Sequence, residues 1–157
     1  MKRELATTLG ELKKTDYTSR TIQLELAENL KAYLRSGKTT FDGLIGYENT
    51  VIPDVERAIL SGHNINLLGL RGQAKTRLAR QITELLDEWI PVVNGSEIND
   101  DPLDPISLEA KRIIAEQGDK TPIEWLHRSD RFFEKLATPD VTVADLIGDV
   151  DPIKASN

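Results

Sequence analysis

The sequence contains no cysteine, so neither a disulfide framework nor a thiolate metal site can be built from it, which fits a reducing compartment. Aromatic residues make up only 5% of the chain and there is one methionine. A core must therefore be assembled from Leu, Ile, Val and Ala. No stretch approaches the roughly 18 consecutive apolar residues of a membrane span, and Met1-Lys-Arg-Glu-Leu5 has no apolar run behind it to act as a signal peptide. Internal repeats and low-complexity tracts are missing too. Only two histidines occur, His63 and His127, and neither has the Cys, Ser or second His partner that a triad or a zinc site requires. These absences lead to the expectation of a cytoplasmic protein without a membrane anchor.

What remains is a chain of 157 residues, 39% hydrophobic and 29% charged, long enough for one domain with a real core. Its charge is uneven. Residues 1–90 hold 13 Lys and Arg against 12 Asp and Glu, whereas residues 91–157 hold 7 against 14. A net charge of −6 argues against a nucleic-acid binder, which needs a basic face to release counterions. Arg71, Lys75, Arg77 and Arg80 form the one basic cluster. Arg77 and Arg80 read more simply as a solvated helix face.

That cluster coincides with the most informative stretch, Asn64 to Arg80. Ile65, Leu67 and Leu68 predict a short buried strand, Gly69 to Ala74 a loop, and Lys75 the start of a helix. Leu78, Ala79, Ile82, Leu85, Leu86 and Trp89 fall on one face of that helix at steps of three and four. Strand, glycine loop and helix form the context of a phosphate-binding loop. A helix opening after a tight loop presents unpaired N–H groups and the positive end of its dipole to phosphate oxygens. The candidate site is Gly69, Leu70, Arg71, Gly72, Gln73, Ala74, Lys75 and Thr76, against the template G-x-x-x-x-G-K-[ST]. Lys75 would reach the outer phosphates and Thr76 would ligate a magnesium ion carried by the nucleotide. Ala74 stands where the second glycine belongs. Its methyl crowds the phosphates unless the residue keeps a negative φ, and the sequence leaves both open. The plainer reading is a helix start with two turn glycines.

Elsewhere the pattern predicts a polar, irregular start over 1–17 and a helix over 19–36 with Ile22, Leu26, Leu30, Tyr33 and Leu34 inward, stopped by Gly37. A second helix, from Asn49 or Thr50 to Ser61, buries Val51, Val55, Ala58 and Ile59, tolerates Pro53 only in its first turn, and ends at Gly62. A second strand is expected at Ile90–Val93. The acidic group Asn99, Asp100, Asp101 and Asp104 invites a metal reading, but its spacing does not match a calcium loop and Pro102 and Pro105 interrupt it. Helix capping is the better account: Asp104 as cap, Pro105 first in a helix, Ile106, Ala110, Ile113 and Ile114 inward, and Gly118 closing. Thr121-Pro-Ile-Glu124 reads as a capping box opening a short helix with Trp125 and Leu126. Phosphoryl transfer also needs a carboxylate beside the loop. The only apolar–apolar–Asp–Glu string nearby is Leu85–Glu88, expected on the loop's own helix with Asp87 and Glu88 facing solvent.

Leu44-Ile-Gly46-Tyr47-Glu48, followed by a helix, His63, a strand and the loop at Gly69–Thr76, resembles the opening of AAA+ ATPase modules. Thr138-Pro-Asp140 with Asp145-Leu-Ile-Gly148 resembles MoxR-type AAA+ proteins, and Gly148–Ala155 is similar to the segment that follows in magnesium-chelatase ATPase subunits. The resemblance spans roughly residues 41–155. It implies an α/β fold, an incomplete P-loop NTPase (AAA+) αβα core preceded by N-terminal helices. Residues 1–40 would form the helical extension and 41–157 the N-terminal part of the P-loop domain, before its acidic magnesium and water motif. It further implies ATP or ADP with Mg2+ as ligand, Ile45, Gly46 and Tyr47 lining the adenine pocket, and a homo-oligomeric ring. Such rings couple ATP hydrolysis to remodelling of a partner that often carries a von Willebrand factor A domain. Two readings follow: the nucleotide-binding portion of a larger ATPase, inactive alone, or a degenerate P-loop interaction module that docks a partner through its acidic second half.

Overall fold

The computed structural model describes residues 5–136 and 138–148. The first elements are a short helix α1 (Leu9–Leu12) and a longer α2 (Ile22–Arg35). The Thr21 hydroxyl caps α2 by accepting from the Leu24 amide at 3.3 Å, and Gly37, at φ 72°, turns the chain away after Ser36. The inward face of α2 is rotated from the one expected. Glu25, Ala27 and Leu30 are buried, whereas Ile22 and Leu34 are exposed.

Helix α3 (Val51–Leu60) follows, with Pro53 in its first turn and Ile52, Val55 and Ile59 buried. It packs against α2. Leu30, Phe41, Leu44, Ile52, Val55, Ile59, Leu78 and Leu85 make one apolar cluster, so α2 shares a core with the segments after residue 40. Helix α4 (Lys75–Ile82) contributes Leu78 to that cluster.

The expected continuation of α4 to Trp89 does not occur. The helix ends at Ile82, a 3-10 turn covers Thr83–Leu85, and Trp89 opens strand β1 (Trp89–Val93). Leu85 and Leu86 are still buried: the apolar spacing reports burial, and the 3-10 turn meets it as well as an α-helix would. The Asp87–Glu88 expectation changes with it. Both residues lie between the turn and β1, and Asp87 is half-buried instead of solvent-facing.

Strand β1 pairs antiparallel with β2 (Ile123–His127), with Trp89 opposite His127 and Val93 opposite Ile123. This two-stranded ribbon is the whole sheet among the described residues. The capping-box helix expected at Thr121–Glu124 is therefore a strand entry. Ile123, Trp125 and Leu126 are apolar or aromatic types that fit a pleated surface, and the ladder to β1 outweighs a local cap. The Trp89 and His127 rings meet edge to face, 4.8 Å between centroids. A bridge from Thr8 to Pro122 and the Leu9 amide bond to Thr121 carbonyl (2.9 Å) tie α1 to the start of β2. Leu9 and Leu12 are fully buried there.

Between the strands lies α5 (Leu108–Gln117), capped by Ser107 and not by Asp104. Asp100 is the acidic residue that organises this region. Its carboxylate accepts from the Ile106 and Ser107 amides (2.6 and 2.9 Å) and from the Ser96 and Ser107 hydroxyls (2.7 and 2.6 Å). Ile106, expected inward, is exposed because the helix starts at Leu108, three residues after the expected Pro105. A last short helix α6 (Ala144–Ile147) is preceded by Thr142, whose amide and hydroxyl both donate to Asp145. Most of the Gly148–Ala155 motif lies outside the described residues.

Candidate functional site

The expected strand at Ile65–Leu68 has no ladder partner among the described residues, and 63–70 carries neither helix nor strand. A strand is a relation between two segments, and β1, the next extended segment, is taken up by β2. Burial of the segment is correspondingly lost: Leu68 is 87% exposed and only Leu67 packs against the apolar cluster.

The loop itself is tightly folded. Lys75 reaches back across it, and its Nζ donates to the Gly69 and Leu70 carbonyls at 2.9 and 2.5 Å. The Gln73 side-chain oxygen accepts from the Leu70 amide at 2.8 Å. A Cβ on Gly69 would meet that same oxygen, so a larger residue there would displace the Gln73 side chain from its bond to the Leu70 amide. Gly72 turns the chain at φ 81°.

Ala74 sits at φ 52°, ψ 15°, in the left-handed region. The question left open by the sequence is thereby answered: the residue does not escape to negative φ but holds the conformation a glycine would adopt, at a cost of about 1–2 kcal/mol for an L-residue. Ala74 also offers no side chain to cap α4. The amides of Lys75, Thr76 and Arg77 are consequently the orphan donors of the helix start, aimed where an anion is best accommodated. Thr76 is exposed beside them.

A small cleft opens next to the loop, lined by Leu44, Tyr47, Val51, Leu67, Ala74 and Leu78 among others. The Tyr47 hydroxyl donates to the Gln73 carbonyl at 3.4 Å, linking the 41–50 loop to the glycine loop. Of the three residues the resemblance assigns to a base pocket, Tyr47 lines the cleft. Ile45 is 88% exposed and does not. Gly46 is exposed, at φ 88°. Sequence reasoning missed Leu44, Val51 and Leu78 as cleft walls, because residues that serve a core and residues that serve a pocket are chemically alike.

The basic residues around the loop have different fates. The Arg77 guanidinium and the Gln81 amide both donate to the Asp42 carbonyl, at 3.4 and 2.8 Å, so α4 is clasped to the 41–50 loop. Arg80 makes a two-point bond with Glu134 (2.7 and 2.8 Å), which raises its pKa and lowers that of Glu134. Arg71 is exposed at the loop's tip.

Asp87 belongs to a different assembly. Its carboxylate meets Arg20 and the Asn29 amide, while its own amide donates to Glu25 at 2.7 Å. Glu25, buried on α2, is held by both Nη atoms of Arg131 at 2.8 and 2.6 Å. The hydrogen bond to Glu25 raises the Arg131 pKa against the opposing effect of burial. Asp87 is therefore a structural partner, for a reason other than a solvent-facing place on a helix. His127 has a serine neighbour after all. Its Nδ1 accepts from the Ser129 amide at 3.2 Å and lies 2.8 Å from the Ser129 hydroxyl. This caps the 3-10 turn Arg128–Arg131. Asp130 touches the serine and not the imidazole, so no triad is formed. Among the described residues no group of acidic and histidine side chains is placed to hold a metal ion by itself, and no helix is long and apolar enough to cross a membrane. No family model matches the chain, and neither the curated proteins nor the solved structures contain a match.

Proposed function

We propose that the chain binds the phosphates of a nucleotide, ATP or ADP with Mg2+, at Gly69–Thr76. The observation that carries this reading is the Lys75 ammonium folded over the mouth of the loop, held among the described residues by two carbonyls. Neutral carbonyls are weak partners for a full charge, and an anionic oxygen arriving at the helix start would draw the lysine away from them. The first-turn amides would share the phosphates with it, and the Thr76 hydroxyl would face the magnesium ion. The small apolar cleft of Leu44, Tyr47 and Val51 beside the loop would have to widen to receive a base.

In a longer protein this loop would serve an AAA+ ATPase similar to the magnesium-chelatase and MoxR groups, working in the cytoplasm as a homo-oligomeric ring on a partner such as a von Willebrand factor A domain. In the Asp87–Glu88 pair, the Asp87 carboxylate is engaged by Arg20 and Asn29. The chain alone is accordingly expected to bind without turnover. A second reading, a degenerate loop in a docking module, is favoured by the exposure of Phe133, Leu136, Val143 and Ile147 along the acidic second half.

A titration of fluorescent ADP or ATP with magnesium, on this chain and on Lys75→Ala, separates the two. Saturable binding that disappears with the lysine supports the phosphate site. Equal curves for both proteins would leave the docking module in possession.

A further inference from the structure

Asn94 and Gly95 occupy the middle of an exposed turn at the end of β1, closed by the Ser96 amide donating to the Val93 carbonyl at 3.1 Å. Gly95 is at φ 84°, whereas Asn94 is not among the residues of positive φ. This is the pattern of a type II turn with glycine at its third position. Among the described residues nothing lies within 4 Å of where a Gly95 side chain would project, and the Gly95 amide donates none of the turn's hydrogen bonds. The peptide between Asn94 and Gly95 is the unit whose rotation interconverts type I and type II turns, and among the described residues no hydrogen bond from the Gly95 amide opposes that rotation.

We infer that Asn94-Gly95 is a site of self-modification, at which the chain converts its own asparagine to aspartyl and isoaspartyl residues. The Gly95 backbone nitrogen, on losing its proton, attacks Asn94 Cγ. The new N–Cγ bond replaces the Cγ–Nδ2 bond, and Nδ2 leaves as ammonia with that proton. Water then opens the resulting five-membered imide. Opening at Cγ leaves aspartate, and opening at the main-chain carbonyl carbon leaves isoaspartate. No oxidant or reductant is required.

The site is coupled to the fold, which gives the modification a consequence. The Asn94 amide Nδ2 donates to the Glu124 carboxylate diagonally across the ribbon. Either product removes that donor and sets one carboxylate against another. Isoaspartate also adds a carbon to the main chain two residues before Ser96, whose hydroxyl donates to the Asp100 carboxylate and accepts from the Asp100 amide, and Asp100 in turn holds the start of α5. Asn29, Asn49, Asn64, Asn66 and Asn99 are each followed by a residue with a side chain, which hinders the attack.

The test is to age the purified chain at mildly alkaline pH, digest it, and count isoaspartate and aspartate at each asparagine by mass spectrometry and isoaspartyl methyl labelling. Modified Asn94 is expected to accumulate severalfold faster than any other asparagine, and faster as the pH rises. Two variants are aged beside it, Asn94→Gln, whose ring would need one more atom, and Gly95→Ala; both are expected to lose the signal at this position. Separately, Asn94→Asp is expected to lower the melting temperature through its repulsion with Glu124, and Asn94→Asp/Glu124→Gln to regain it. Modification at Asn94 no faster than at Asn99, or undiminished in Gly95→Ala, would overturn the proposal.

Discussion

Ala74 is the residue on which the candidate site turns. Its positive φ is maintained by its surroundings: Tyr47 bonds the preceding carbonyl, and Lys75 ties the following residue back to Gly69 and Leu70. Replacing it by glycine relieves the left-handed strain but adds chain entropy to the unfolded state. The net gain is expected to be roughly 0.5–1 kcal/mol, visible as a higher midpoint in urea with an unchanged slope. The same variant opens space at the proposed phosphate seat, so on that proposal nucleotide binding should tighten with stability. A stabilised Ala74→Gly that binds no better would mean that the methyl is no obstacle.

Asp100 is the second residue whose state matters. Burial alone would raise its pKa; the Ser107 and Ser96 hydroxyls and the Ser107 and Ile106 amides more than offset that and hold it down to about 2, from an ordinary 3.8. A carboxyl whose folded pKa is lowered stabilises the fold at pH values above its unfolded pKa. That contribution, on the order of 2 kcal/mol, is complete above about pH 5 and is lost as the pH falls from near 4 to near 2. Denaturant midpoints across this range should fall less steeply for Asp100→Asn, which starts less stable at neutral pH.

Among elements, α1 packs closely against the backbone of the turn Gly118–Lys120. A Cβ on Gly10 would come within 2.9 Å of both the Asp119 carbonyl oxygen and its Cβ. A backbone oxygen cannot swing aside as a flexible side chain does, so Gly10→Ala must lift α1 and its buried Leu9 and Leu12. A loss of about 1–3 kcal/mol is expected, as for other overpacked sites, measured by thermal unfolding. Gly37, by contrast, has no neighbour among the described residues within 4 Å of its Cβ position. The Lys13–Asp119 bond across the α1 contact is exposed and adds little.

At the scale of the molecule, Glu25 and Arg131 join α2 to the turn that follows β2, across 106 positions of sequence. Asp87, Arg20 and Asn29 extend the same network. Breaking a buried pair from one side strands the other charge. Arg131→Met is expected to cost about 3–5 kcal/mol, and Glu25→Met in the same background to recover part of it. Chemical denaturation of both variants and of the double variant measures the coupling.

The local signals in the chain were enough to place α2, α3, the start of α4 and β1 within a few residues, because caps, stop glycines and apolar spacing act over one or two turns. They were also enough to bring Gly69–Thr76 into one loop with Lys75 at a helix start. Tertiary structure alone decided the rest. Thr121–His127 carries a capping-box pattern, yet pairing with β1 makes it a strand; Ile65–Leu68 carries a strand pattern, yet finds no partner among the described residues. Glu25 lies on the inward side of α2 only because Arg131 is there to meet it. Local chemistry states what a segment can become, and long-range pairing, of strands and of charges, selects among those states because a ladder or an ion pair has no energy until its second half arrives.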